Sequence, residues 1–123
     1  MKIGFNLLLW TTHVTDADTV VLEQLKAAGY DGVEVPVFEG DEAHYAALGS
    51  RLDGLGLDRT AVAIVQDEAR NPISGDRACR RAGVDYLKWL VDCSAALGAE
   101  VLCGPFYQPL GVFSGSGPTD AEW

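Results

Sequence analysis

Apolar and polar residues fall in blocks of changing rhythm along this chain. Lys2-Ile3-Gly4-Phe5-Asn6-Leu7-Leu8-Leu9-Trp10 is almost continuously apolar, the pattern of a strand buried on both faces in a parallel sheet. Val21, Leu22, Leu25 and Ala28 then recur at helical spacing. Thr15 or Asp16 can cap that helix, and Gly29 can end it with a positive φ that costs glycine nothing. Tyr30 to Val37 reads as a second strand, with Val33, Val35 and Val37 alternating in period two. Pro36 removes a ladder donor, so pairing is expected to stop there. Asp41 can cap a second helix carrying Tyr45, Leu48, Leu52 and Leu55 and closed by Gly56. Thr60 to Val65 reads as a third strand, and a polar turn-rich loop runs from Gln66 to Asp76. A third helix turns Leu87, Leu90, Val91 and Leu97 inward and ends at Gly98. Val101-Leu102-Cys103 forms the core of a fourth strand, and Pro118-Thr119-Asp120-Ala121-Glu122 looks like another helix opening.

One unit recurs three times: helix end, glycine, strand. It appears in Leu25 to Val33, in Leu52 to Leu57 and in Ala95 to Val101. Strands alternating with helices imply a parallel sheet joined by right-handed crossovers. Either a doubly wound open sheet or part of a (β/α)8 barrel would give this pattern. A nucleotide-binding open sheet carries a glycine-rich phosphate turn after its first strand, and Trp10-Thr11-Thr12-His13 is not one. The elaborate sequence instead follows every strand, where barrels build their sites. The expected fold is therefore an α/β parallel (βα)3β4 portion of a (β/α)8 TIM barrel.

Charge removes several classes of function. Nine Lys and Arg stand against eighteen Asp and Glu, a formal net charge of -9, which disfavours a phosphate backbone as partner. No apolar run approaches the roughly 18 residues of a membrane span, and no signal-peptide pattern opens the chain, so a cytoplasmic protein is expected. Cys79, Cys93 and Cys103 lack metal-site or disulfide spacing and are expected to be reduced thiols.

Two polar residues interrupt the apolar strands. Glu34 breaks the valine alternation near a strand's C-terminal end, where an unpaired carboxylate would be costly. It needs either a ligand or substrate to hold, or a basic partner across the core. Asn6 sits amid Leu and Phe, and a buried amide must be hydrogen-bonded, to substrate or between strands. Trp10 could offer an aromatic platform to a ligand's apolar face or plug the rim. His13, without a second ligand in spacing, is expected as a surface or capping residue, and His44 is placed on an exposed helix face.

Lys2-Ile3-Gly4-Phe5-Asn6, Ala27-Ala28-Gly29-Tyr30-Asp31-Gly32-Val33-Glu34 and Leu97-Gly98-Ala99 through Gly104-Pro105 together resemble the N-terminal half of the xylose-isomerase-like barrel superfamily. Within it the chain is most similar to sugar phosphate isomerases/epimerases of the ketose 3-epimerase type, which act on tagatose and allulose (psicose). The resemblance makes residues 1–123 the N-terminal half of a single TIM-barrel domain, cut at the start of the fourth helix. It implies a divalent metal, manganese or cobalt with magnesium as an alternative, bound by two Glu, one Asp and one His. Two of those carboxylates would exchange a proton beside the ketone through an enediolate. All four ligands belong to later strands in the family, so no catalytic or metal-binding residue is expected here, and the piece alone is expected to be inactive. Asn6 and Val14 align with aromatic substrate-wall positions of some members, and Pro105 and Phe106 follow the fourth strand where the family places substrate-facing residues. The implied site is thus Asn6, Trp10, Val14, Glu34, Pro105 and Phe106, binding a small sugar. Hydroxypyruvate-isomerase-like or inosose-dehydratase-like chemistry, or an inert truncated fragment, are the alternatives. Unpaired outer strand edges recruit another chain, so a homo-oligomer is expected.

Overall fold

The computed structural model describes residues 1–113, 115–117, 119 and 120. The helix opening expected over residues 118–122 therefore lies largely outside the described residues. In chain order the elements are β1 (Gly4–Asn6), α1 (Thr19–Ala27), β2 (Gly32–Pro36), α2 (Glu42–Leu55), β3 (Asp58–Val62), α3 (Arg77–Leu97) and β4 (Leu102–Cys103), with short 3-10 turns between some of them. The four strands form one sheet in the order β1-β2-β3-β4, every neighbour parallel. A doubly wound sheet reverses its strand order at a switch point. This order runs in one direction only, as in a barrel wall.

The chain divides into two compact units, residues 1–63 with 89–104, and residues 64–88 with 105–123. The first contains the whole sheet. Its packed face carries Val33, Val35 and Ala61, all buried, against a helical layer that buries Leu22, Leu25, Leu48, Leu52, Leu90 and Leu97. Gly49 allows the closest helix approach: a methyl there would lie 2.5 Å from the Leu97 carbonyl oxygen. In the second unit Asp67 caps a turn over Glu68–Arg70, the Arg70 guanidinium lies 4.8 Å over the Tyr86 ring, and the Tyr86 hydroxyl donates to the Ile64 carbonyl at 3.0 Å.

The caps match the sequence pattern. Thr15 forms a capping box with Asp18, Asp41 accepts from the His44 N–H at 2.9 Å, and Gly29, Gly56 and Gly98 all take positive φ. Strand limits differ, because a strand lasts only as long as it has a partner. β1 stops at Asn6, and Leu7–Leu9 turn into a 3-10 helix in place of the expected strand to Trp10. β3 starts earlier than Thr60, since Asp58 and Arg59 pair with Gly32 and Val33, and it ends at Val62 instead of Val65. Pro36 does lie at the end of β2. The Val37 N–H donates to the Val62 carbonyl at 2.9 Å, so by alternation the Pro36 nitrogen faces the side that β1 has already left. In α3, Leu90 and Leu97 are buried as expected but Val91 is 57% exposed. The inward stripe runs through Tyr86, Leu90, Cys93, Ser94 and Leu97, and Val91 stands a full residue step off it.

Candidate functional site

The register decides what meets on the other face of the sheet. Asn6 pairs with Glu34 and Glu34 with Thr60, while Cys103 pairs with Val62, two residues beyond Thr60. Residues directly opposite in a sheet share a face, as do residues two apart on one strand. Four strands therefore contribute one side chain each to a single polar row. The row borders a cavity of about 430 Å³ in the first unit, lined along β1, β2 and β3 by Gly4, Asn6, Gly32, Glu34 and Thr60 among others.

Glu34 is the hub of this row. Its Oε2 accepts from the Asn6 side-chain amide at 2.6 Å, its Oε1 accepts from the Cys103 thiol at 3.1 Å, and Thr60 Oγ1 donates to the same oxygen at 3.5 Å. These partners are an amide, a thiol and a hydroxyl, so the basic partner considered from sequence is replaced by three neutral donors. Hydrogen bonds to a charged acceptor are stronger than neutral ones, and they hold the half-buried carboxylate without cancelling its charge. The Cys103 thiol is pushed up from its ordinary value of 9.0, first by burial and then by donation to Glu34 and by that carboxylate's charge. It stays a thiol at neutral pH, as a donor must.

Asn6 has a second task. Its Oδ1 accepts from the Leu8 N–H at 2.8 Å, capping the 3-10 turn, so both ends of the amide are committed and its orientation follows from its partners. That cap opens the turn at the residue where β1 loses its pairing. The turn delivers Trp10, 58% exposed, to the side of Phe5, with ring centroids 4.5 Å apart, and Phe5 meets Tyr30 edge-on at 5.5 Å. Val14 is buried, at 2% exposure, just ahead of the Thr15 cap. Pro105 and Phe106 belong to the second unit, both half-buried, where the Pro105 carbonyl accepts from the Val65 N–H at 3.5 Å. The structure thus brings Asn6 and Glu34 into direct contact and adds Thr60 and Cys103, which the sequence reading had not singled out. His44, expected on an exposed helix face, is half-buried and stacked on His13.

The metal that the resemblance implies can be tested against these side chains. Among the described residues no three His, Cys, Asp or Glu converge where a cation could sit. Glu34 meets only an amide, a hydroxyl and a protonated thiol. Among the described residues, these side chains do not fit a metal centre. Among the described residues, too, no helix is long and apolar enough to cross a membrane.

A one-directional parallel sheet, with a polar row on one face and helices on the other, defines an α/β barrel wall. Residues 22–122 match the family model described as xylose isomerase-like TIM barrel, and the chain belongs to that family. Over 115 residues it is 24% identical to a Synechocystis sp. protein named "Probable ketose 3-epimerase", covering 94% of this chain and 40% of that one. Among solved structures, D-allulose 3-epimerase from Methylomonas sp., in complex with D-allulose, superposes with a TM-score of 0.80 at 25% identity, over 99% of this chain and 42% of the other. An L-ribulose 3-epimerase shares the fold with a TM-score of 0.85 at 22% identity, over 100% and 41%. The chain spans about two-fifths of the length of these relatives.

Proposed function

We propose that this chain is the N-terminal half of a single-barrel sugar epimerase of the ketose 3-epimerase type, in which the β1–β4 wall binds the sugar. The observation that carries this reading is the Glu34 row. A carboxylate held by three neutral donors has lone pairs to spare, and sugar hydroxyls are the donors that suit them. Asn6 and Glu34 supply this polar side, and Trp10 an aromatic surface. Family membership and the epimerase names of the relatives support the reading.

The reaction proposed is proton exchange at the carbon next to the ketone through an enediolate. The general acid and base, and any manganese, cobalt or magnesium ion, would come from strands beyond residue 123. The chain here would hold and orient the sugar, and residues 1–123 alone would turn nothing over. The same reading has the whole protein working in the cytoplasm as a homo-oligomer.

The test is conversion of D-fructose, D-tagatose or D-allulose to the C3 epimer by the whole protein with added manganese, followed by chromatography. Glu34→Gln should raise KM about tenfold or more, the equivalent of one hydrogen bond to a charged group. Absence of any C3 epimer from all three ketoses, or an unchanged KM in the variant, refutes the proposal.

A further inference from the structure

The sequence holds two histidines, far apart along the chain, and the fold lays one upon the other. The His13 and His44 rings stack with centroids 4.3 Å apart and planes 21° from parallel, and Tyr45 meets His44 edge-on at 5.0 Å. His13 sits in the loop between the Leu7–Leu9 turn and α1. Thr11 Oγ1 pins it there, accepting from the His13 N–H at 3.1 Å and donating to the His13 carbonyl at 2.8 Å. His44 lies in the first turn of α2, directly after the loop that leaves β2. The stack is therefore a join between the two loops that follow β1 and β2. Gly40 fits beneath it: its φ is +101°, and a methyl group there would lie 3.2 Å from His13 and 3.5 Å from His44.

His13 Nδ1 and His44 Nε2 are buried without a hydrogen-bond partner. A neutral imidazole can leave a lone pair bare at such a place. A protonated one would put a charged donor at an atom that has no hydrogen-bond partner in the packed stack. The groups around His44 divide as follows. Asp41 at the helix cap and the Val14 backbone favour the charged ring. Burial, the His13 ring and Arg51 oppose it, with burial the largest cause, and together they hold His44 below its ordinary value of 6.5. Arg51 is itself tied to the Asp16 carboxylate and the Thr15 carbonyl, and Tyr45 is anchored through its hydroxyl to the Glu39 carbonyl at 2.7 Å. The positive end of the α2 dipole adds to the opposition.

We propose that the His13–His44 stack is an acid-released latch between the loops that leave β1 and β2, closed while both rings are neutral and opened when one takes a proton. The closed latch holds the segment from Trp10 to Thr15 against the start of α2. Opening it frees that segment without unfolding the sheet. The sign follows from the lowered value. The unfolded chain binds the proton first as pH falls below 6.5, so the contribution of His44 to stability is full above that pH and is lost below it.

With only two histidines, an NMR titration of the labelled protein resolves each ring. The expected result is a His44 midpoint below 6.5, with backbone amides of residues 11–15 and 39–41 shifting at the same midpoint while those of β2 and β3 stay still. In His44→Phe, which keeps an aromatic ring in the stack, the coupled amide shifts should disappear. His13→Phe should raise the remaining midpoint, and it serves as a second variant should His44→Phe fail to fold. A His44 midpoint at or above 6.5, amides that ignore the titration, or an unchanged midpoint in His13→Phe overturns the latch. None of these readouts depends on the sugar or on turnover.

Discussion

Asn6 caps the Leu7–Leu9 turn with its oxygen and holds Glu34 with its nitrogen, and three substitutions separate the two tasks. Asn6→Ser keeps a good capping oxygen but loses the amide donor. A hydrogen bond to a charged acceptor contributes about 1.5–3 kcal/mol, and the half-buried setting favours the low end. Asn6→Ala loses the cap as well, adding about 1 kcal/mol. Asn6→Asp keeps the cap but sets a second carboxylate where a donor stood 2.6 Å from Glu34. At an effective dielectric of about 20, two charges relaxed to about 4 Å apart still repel by roughly 4 kcal/mol, a cost that protonation of the pair relieves. The folded pair then binds protons more tightly than the unfolded chain, so the stability of Asn6→Asp is greatest at acid pH and falls as pH rises through the carboxylate range. Urea unfolding at neutral pH should rank the proteins wild type, Ser, Ala, Asp in falling stability, with Asp rising towards Ser near pH 4.5. Equal stabilities for Ser and Ala would remove the capping role. An Asp variant no weaker than Ser at neutral pH would show that the Glu34 contact is not made.

The Cys103 thiol should betray its partner. In Glu34→Gln, half-maximal alkylation of Cys103 should move to lower pH, because the carboxylate charge that raises it is gone while burial remains. The experiment belongs in a Cys79→Ser background. Cys93, fully buried and raised to about 11, should not react, and an unshifted Cys103 profile counts against the hydrogen bond. Two glycines of α2 should respond in opposite senses. Gly49→Ala drives a methyl to within 2.5 Å of the Leu97 carbonyl oxygen and 3.1 Å of its carbon, so overpacking should cost about 1–3 kcal/mol. Gly54→Ala meets nothing within 4 Å and should gain up to about 1 kcal/mol in helix propensity. Thermal melts in which both variants shift the same way would contradict this packing of α2 against the end of α3.

Much of this protein was written locally. Thr15, Asp41, Gly29, Gly56 and Gly98 act through their own side chains and backbone angles, and so the helix limits could be read directly. Strand alternating with helix was equally legible, as was the resemblance carried by Ala27 to Glu34. Asn6 and Glu34 stood out because polar groups on apolar strands must find partners. Which partners they find depends on register, a relation between strands that no single stretch encodes. Register chose Thr60 and Cys103 over a basic group, and lateral pairing cut β1 to Gly4–Asn6 and moved β3 back to Asp58. The Asn6 cap was visible in principle, since Asn before a turn is a known signal, but the surrounding apolar run hid it. Strand order, which separates a barrel wall from a doubly wound sheet, and the meeting of His13 with His44 were decided only by the tertiary structure. Both are contacts between residues distant in sequence, fixed by how the packed layers dock and not by the propensity of any segment.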